Sequence, residues 1–167
     1  LVYAGQEPTN VAAAIAAARS IQPHDLANPK LRQQHIGQAA SIISAYPEVR
    51  EALLEYQRNF AKSGRGAVLD GRDIGTVVCP DAQVKLFITA SIETRAERRH
   101  RELAGEGFPV SLEAVHEELV ARDERDSRRK AAPLKPAEDA IQIDSSALTA
   151  DAVFAQALEL LKQKLGR

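Results

Sequence analysis

Residues 84–104 read VKLFITASIETRAERRHRELA. Val84 to Ala90 is rich in residues that suit a pleated strand. Ile92 to Ala104 follows almost at once as a charged helix. A strand running straight into a helix is the unit from which α/β folds are assembled. Upstream, Ala67-Val68-Leu69 is a short apolar run that ends at Asp70-Gly71-Arg72-Asp73. Its lack of alternation predicts a strand covered on both faces. Downstream, Gly105 to Pro109 interrupts the helix, and Ser111 is placed to cap the next one. That helix carries Leu112, Val115 and Leu119 and runs on through Arg122 to Arg129, with Pro133 and Pro136 expected to end it. Ala140 to Asp144 (AIQID) reads as a third strand. Thr149 then caps a last amphipathic helix, expected to bury Val153, Phe154, Ala157, Leu158, Leu161 and Leu165.

Strands alternating with helices predict an α/β fold, a parallel sheet flanked by helices. Ligands of such sheets sit beyond the carboxyl ends of the strands. Asp70 to Asp73 and Asp144 to Ser146 fall at those ends.

The first third is helical in pattern. Val11, Ile15 and Ala18 form a short apolar stripe. Asn28-Pro29 is a helix start, with Asn as cap and Pro in the first turn. Leu31, His35, Ala39, Ile42 and Ile43 recur at helical spacing behind it. Tyr46-Pro47 breaks that helix and opens another, whose buried face is expected at Val49, Leu53, Tyr56 and Phe60. Ser63-Gly64-Arg65-Gly66 is a turn cluster.

Composition narrows the function. The 167 residues carry 22 Lys+Arg against 23 Asp+Glu, a net charge of −1. A protein that grips nucleic acid through its phosphates is usually clearly basic. Aromatics make up only 4%, which leaves few platforms for stacking bases. From Glu93 to Lys130, eight arginines and one lysine stand among ten acidic residues. That pattern fits local arginines gripping an anion better than a track for a polyanion. No apolar stretch approaches the roughly 18 residues of a membrane span. Cys79 is the single cysteine, so no internal disulfide is possible. The four histidines show no metal-ligand spacing with one another or with it. These features predict a cytoplasmic location and no nucleic-acid or membrane partner.

Three groups of residues can carry chemistry. Asp70-Gly71-Arg72-Asp73 sets two carboxylates around a guanidinium at a strand end. Arg72 can fork onto a phosphate, Asp73 can accept from an exocyclic amine, and Asp70 can hold magnesium or its waters. The same four residues also read as an ion-paired surface turn. Arg122, Asp126 and Arg129 stand at i, i+4 and i+7, on one face of a continuing helix. They can grip a phosphate and a sugar hydroxyl, or simply line a solvated face. Ser41 and Arg50 lie on successive helices across the Tyr46-Pro47 corner and can converge on one ligand.

Taken together, these elements resemble the bacterial cytidylate kinase family, which belongs to the P-loop nucleoside monophosphate kinases. The resemblance runs through Gln38-Ala39-Ala40-Ser41, Pro47-Glu48-Val49-Arg50-Glu51-Ala52-Leu53-Leu54 and Gln57-Arg58. It continues through the run DGRDIGTVV at Asp70 to Val78, Pro80-Asp81-Ala82, Val84 to Phe87, Arg122 to Arg129 and Ala132-Pro133-Leu134. DGRDIGTVV followed by PDA is far more specific than DGRD alone.

The resemblance implies transfer of the γ-phosphoryl group of ATP to CMP or dCMP with Mg2+, by a monomer. It implies that Ser41, Arg50 and Asp73 read cytosine, and that Arg72 holds the nucleotide phosphate. Arg122 and Asp126 hold sugar and phosphate, and Arg129 reaches the base or phosphate. Arg72, Arg122 and Arg129 are thereby the catalytic cations. Asp70 orders Mg2+ through water, Arg98 stacks on adenine, and Ser145 lies in the loop forming the other wall.

It also implies one kinase domain over residues 1–167. Its parts are a helical CMP-binding region at about 5–62, core strands at 63–91, lid helices at 92–132, and a core strand with a C-terminal helix at 133–167. The family's Gly-rich phosphate loop, G-x-x-x-x-G-K-[ST], does not occur in this sequence, and neither does methionine. The expectation is that about forty residues precede Leu1 in a domain of roughly two hundred. The 167 residues alone are expected not to turn over ATP. Glu7 to Gln38 is too short for the small β insertion that many members carry. A kinase of another small acceptor, or a non-catalytic nucleotide-binding module, are the alternatives.

Overall fold

In a computed structural model, the described residues are 5, 7–28, 31, 34–64, 66–129 and 132–166. The chain forms two compact units, Leu1–Gly71 with Arg129–Pro133, and Arg72–Arg128 with Leu134–Arg167.

The first unit is helical. α1 (Val11–Ser20) is capped by Asn10, whose side chain accepts from the Ala13 N–H at 3.1 Å. After a 3₁₀ turn at Pro23–Ala27 come α2 (Gln34–Ile43) and α3 (Pro47–Lys62). Asn28 closes the 3₁₀ turn, its N–H donating to Asp25. Its carbonyl in turn accepts from the Leu31 N–H at 3.1 Å, so Asn28 also opens a further 3₁₀ turn, and Pro29 lies outside the described residues. Pro47 does open α3 at its first turn, as the sequence predicts.

Ala14, Ala18 and Val49 are the buried centre of this unit, flanked by Ile15, Ile43, Tyr46, Ala52 and Leu53. Two alanines one turn apart let α1 lie close against α3. The stripe is thus displaced from Val11 toward Ala14. Phe60, expected to be buried, is exposed. α1 has 10 residues and α3 has 16, about 15 Å against 24 Å, so the last turn of α3 outruns its partner.

The second unit holds the sheet. β1 (Leu86–Thr89) and β2 (Ile141–Asp144) pair in parallel, with Leu86 opposite Ile141 and Thr89 opposite Asp144. A parallel pair requires a crossover, and here it contains α4 (Ile92–Gly105) and α5 (Leu112–Arg128). The expected strand at Ala67–Leu69 does not form, and Val68 is 91% exposed. A strand exists only with a ladder partner, and the described residues of its own unit form helices and turns.

Ser91 and Ser111 cap α4 and α5, accepting from the Thr94 and Ala114 amides at 3.2 Å and 3.1 Å. Ala96, Leu103 and Val115 form the buried core between these helices, with Val110 and Leu119 beside it. Leu103 is 1% exposed. Leu103→Ala is expected to cost about 3 kcal/mol, lowering the thermal unfolding midpoint by roughly 6–12 °C. A scan showing less than about 2 °C would disprove the tight packing described for this core.

α5 stops at Arg128, short of the prolines. The Asp126 carbonyl, which a longer helix would offer four residues on, accepts from the Leu134 N–H at 2.8 Å. Arg129 therefore lies beyond the helix and does not share a face with Arg122 and Asp126. α6 (Ala150–Leu165) is capped by Thr149 as expected, with its hydroxyl accepting from the Ala152 amide at 3.2 Å. Its apolar face is less covered than predicted. Phe154 is 68% exposed, Leu158 is also exposed, and Val153, Ala157, Leu161 and Leu165 are half-buried. Two strands, about 5 Å apart, offer too narrow a surface to cover a 16-residue helix. Among the described residues, no helix is long and apolar enough to cross a membrane.

Candidate functional site

Three polar clusters hold Arg72, Arg122 and Asp126, then Arg98 and Ser145, then Ser41, Arg50 and Arg129; Asp73 is buried in the same unit as the first, and Asp70 lies exposed just before Gly71.

The first cluster is in the second unit. The Asp126 side chain, only 4% exposed, sits between two guanidiniums. Arg72 Nε donates to Asp126 Oδ2 at 3.3 Å, and Arg122 Nε stands 4.0 Å from the same oxygen. Arg122 Nε is buried and makes no hydrogen bond. Burial chiefly, and then the Arg72 charge, holds the Arg122 guanidinium below the usual arginine range, while Asp126, Glu118 and Asp123 pull the other way. Two guanidiniums share this carboxylate, and Arg122 keeps an unused buried donor. Such a donor is suited to an anion.

Asp73 is buried near the start of the same unit. Its carbonyl accepts from the amides of Thr76, Val77 and Val78 at 3.2, 2.8 and 3.2 Å, and from the Thr76 hydroxyl at 3.3 Å. These bonds open a π-helical turn over Ile74–Val78, a feature frequent at functional sites. The glycine of the DGRDIG run acts here by absence of bulk. A Cβ on Gly75 would lie 3.2 Å from Lys85 Cδ. Lys85 passes that point to bond both Asp139 oxygens, at 2.9 and 2.8 Å, and the Pro80 carbonyl.

The second cluster lies at the carboxyl ends of the strands, where the sequence placed Ser145, and Arg98 reaches it from α4. The Ser145 amide and hydroxyl both donate to the Thr89 carbonyl, at 2.7 and 2.9 Å. Arg98 donates to the Ser145 hydroxyl at 3.1 Å and to the Ser145 and Leu148 carbonyls at 2.6 and 2.9 Å. The guanidinium is thereby held in one plane against the loop. Next to it, Ser146 donates its hydroxyl and amide to Asp144 Oδ1 at 2.5 and 2.9 Å. These bonds hold the Asp144 carboxyl below the usual carboxylate range. A lowered folded-state value means this contribution is complete above the ordinary range and is lost as pH falls through the lowered one.

The third cluster is in the first unit, at the corner between α2 and α3. Ser41 is buried, and its hydroxyl has no hydrogen-bond partner. Arg50 Nη1 donates to the Ser44 carbonyl at 3.3 Å. Arg129 Nη1 donates to the Ser44 hydroxyl at 3.2 Å, and that hydroxyl donates to the Ser41 carbonyl at 2.9 Å. Ser44 escaped the sequence reading. A lone serine after a helix carries no motif, and its arginine partner is 85 residues away.

Among the described residues, no group of three or more His, Cys, Asp or Glu side chains could enclose a metal. A Mg2+ that arrives with nucleotide phosphates needs only one or two protein carboxylates, and exposed Asp70 has the chemistry for that.

A family model described as cytidylate kinase matches residues 9–163. A protein of Paramagnetospirillum magneticum, "Cytidylate kinase", is 53% identical over 98% of this chain and 79% of its own length. Proteins of the same name from Methylobacterium sp. and Cereibacter sphaeroides are 59% and 51% identical. The first match covers 84% of this chain and 67% of the relative, the second 98% and 80%.

Proposed function

The chain belongs to the cytidylate kinase family, and from this premise we infer the part each clustered side chain plays in passing the γ-phosphoryl group of ATP to CMP or dCMP. In the reaction, an oxygen of the acceptor phosphate bonds to the γ-phosphorus as the bond to the bridging oxygen breaks. ADP leaves with CDP or dCDP as product. Little covalent work falls to the protein, so positioning and charge neutralisation dominate.

The observation that supports the assignment best is the buried Asp126 between Arg72 and Arg122. Arg72 and Arg122 hold the acceptor phosphate, where their guanidiniums offset charge spreading over the transferring group. Asp126 orients both and takes a sugar hydroxyl. Asp73 accepts from the 4-amino group of cytosine. Ser41 and Arg50 donate to the ring acceptors, with the unsatisfied Ser41 hydroxyl available for that bond. Arg129 contributes from the base or phosphate side. Arg98, held flat against the Ser145 loop, carries adenine on its face. Asp70 would hold Mg2+, which would supply neutralisation of the phosphate charge. The reading includes a monomer working in the cytoplasm.

The test is a turnover assay of the full-length protein with ATP and each of CMP, dCMP, UMP and AMP. CMP and dCMP are expected to exceed UMP in kcat/KM by about a hundredfold or more, since the wrong base leaves a buried polar group unpaired. A preference for UMP or AMP would assign the chain to another acceptor.

A further inference from the structure

We infer that Ser44 is a positioning residue of the acceptor-nucleotide pocket, its carbonyl accepting from the guanidinium of Arg50 and its hydroxyl from that of Arg129. The inference rests on the reading that these two arginines meet CMP. Ser44 ends α2: its N–H donates to the Ala40 carbonyl at 3.0 Å, the last helical bond before the corner. A hydroxyl has a single hydrogen and two lone pairs. In Ser44 the hydrogen goes to the Ser41 carbonyl at 2.9 Å. The lone pairs then face the Arg129 Nη1 donor at 3.2 Å. The carbonyl of the same residue takes Arg50 Nη1 at 3.3 Å.

The direction of these bonds matters. Because the hydroxyl hydrogen is spent on Ser41, the oxygen presents only acceptor character to Arg129, and the arginine cannot be repelled by a rotated O–H. Each guanidinium has an amino group held at Ser44, which narrows the headings that it can take. An arginine side chain is otherwise rich in rotamers, and holding it before the ligand arrives lowers the ordering cost of binding. The bond that joins Ser44 to Ser41 ties the same device to the third proposed base contact. Ser44 itself touches no reacting atom, so its effect falls on acceptor affinity more than on the chemical step.

Ser44→Ala deletes the hydroxyl and leaves the carbonyl that holds Arg50. In the full-length protein this change is expected to raise KM for CMP about five- to twentyfold. KM for ATP should stay within about twofold. Ser44→Thr restores the hydroxyl and should return KM for CMP to within about threefold of the parent. Equilibrium binding of CMP without ATP should weaken in step with KM. If Ser44→Ala is too unstable to assay, the isosteric pair Ser44→Thr and Ser44→Val decides the matter by the same comparison. An unchanged KM for CMP, equal losses for CMP and ATP, or no rescue by threonine each overturns the positioning role. A parent protein that does not phosphorylate CMP overturns the underlying reading as well, which separates the two failures.

Discussion

Asp73→Ala is expected to lower kcat/KM for CMP by about two to three orders of magnitude while changing UMP turnover far less. A carboxylate that accepts from the 4-amino group is worth more than its hydrogen bond alone. It also rejects uracil, whose 4-oxo oxygen would face it without a proton between them, and strong discrimination of this kind needs a buried polar partner. Asp73 is 6% exposed, so water does not readily replace the lost contact. Asp73→Asn sharpens the test. Its amide can turn either its oxygen or its nitrogen outward, so the CMP to UMP ratio should fall by about tenfold or more while UMP turnover rises. Steady-state kinetics on both substrates decide it. A CMP preference that survives Asp73→Ala rules Asp73 out as the base reader. The backbone bonds of residue 73, which open the π turn, persist in both variants.

Asp126→Ala is expected to impair both folding and catalysis. Removing one partner of a buried ion pair costs about 3–5 kcal/mol, because the remaining charge stays buried. Here Arg72 and Arg122 keep side-chain exposures of 39% and 33%, so water screens part of the loss. About 2–3 kcal/mol is therefore expected, or roughly 4–12 °C in thermal midpoint. kcat/KM for CMP should drop about a hundredfold, since both guanidiniums proposed to hold the phosphate lose their common anchor. Removing Arg122 together with Asp126 should recover part of the stability and none of the activity. Such non-additivity is the signature of directly coupled residues. Stability changes that simply add would show that the two side chains do not share a charge balance.

The parts of this fold that are legible in the sequence are those with local causes. Ser111 and Thr149 announce their helices because a cap bonds to amides two or three residues away. Pro47 announces α3 because its fixed φ and missing N–H act at one position. The strands at Leu86 and Ile141 and the helices between them follow from residue type and period. Features that depend on distant neighbours were not legible. Val68 has strand-like company in sequence, but no strand beside it among the described residues of its own unit. Phe60 and Phe154 have helical spacing and too little surface against them. Arg129 fits an i+7 pattern that holds only while the helix continues, and the Leu134 amide takes up the Asp126 carbonyl where α5 ends. The site divides in the same way. DGRD and the Arg122–Asp126 spacing show in the sequence, whereas the Ser44 junction exists only because residues far apart in the chain come together.

That separation has a consequence for how the protein comes into being. Ser44 and Arg129 are 85 residues apart. At synthesis rates of about 5–20 residues per second, Arg129 follows Ser44 off the ribosome by roughly four to seventeen seconds. A nascent chain can form the bonds from Ser44 to Ser41 and Arg50 early, because those span a single helical corner. The Ser44 junction acquires its second arginine only after α4 and α5 have been translated. Its completion is therefore a late event of biogenesis, and a chain stalled within α5 carries the corner between α2 and α3 without Arg129.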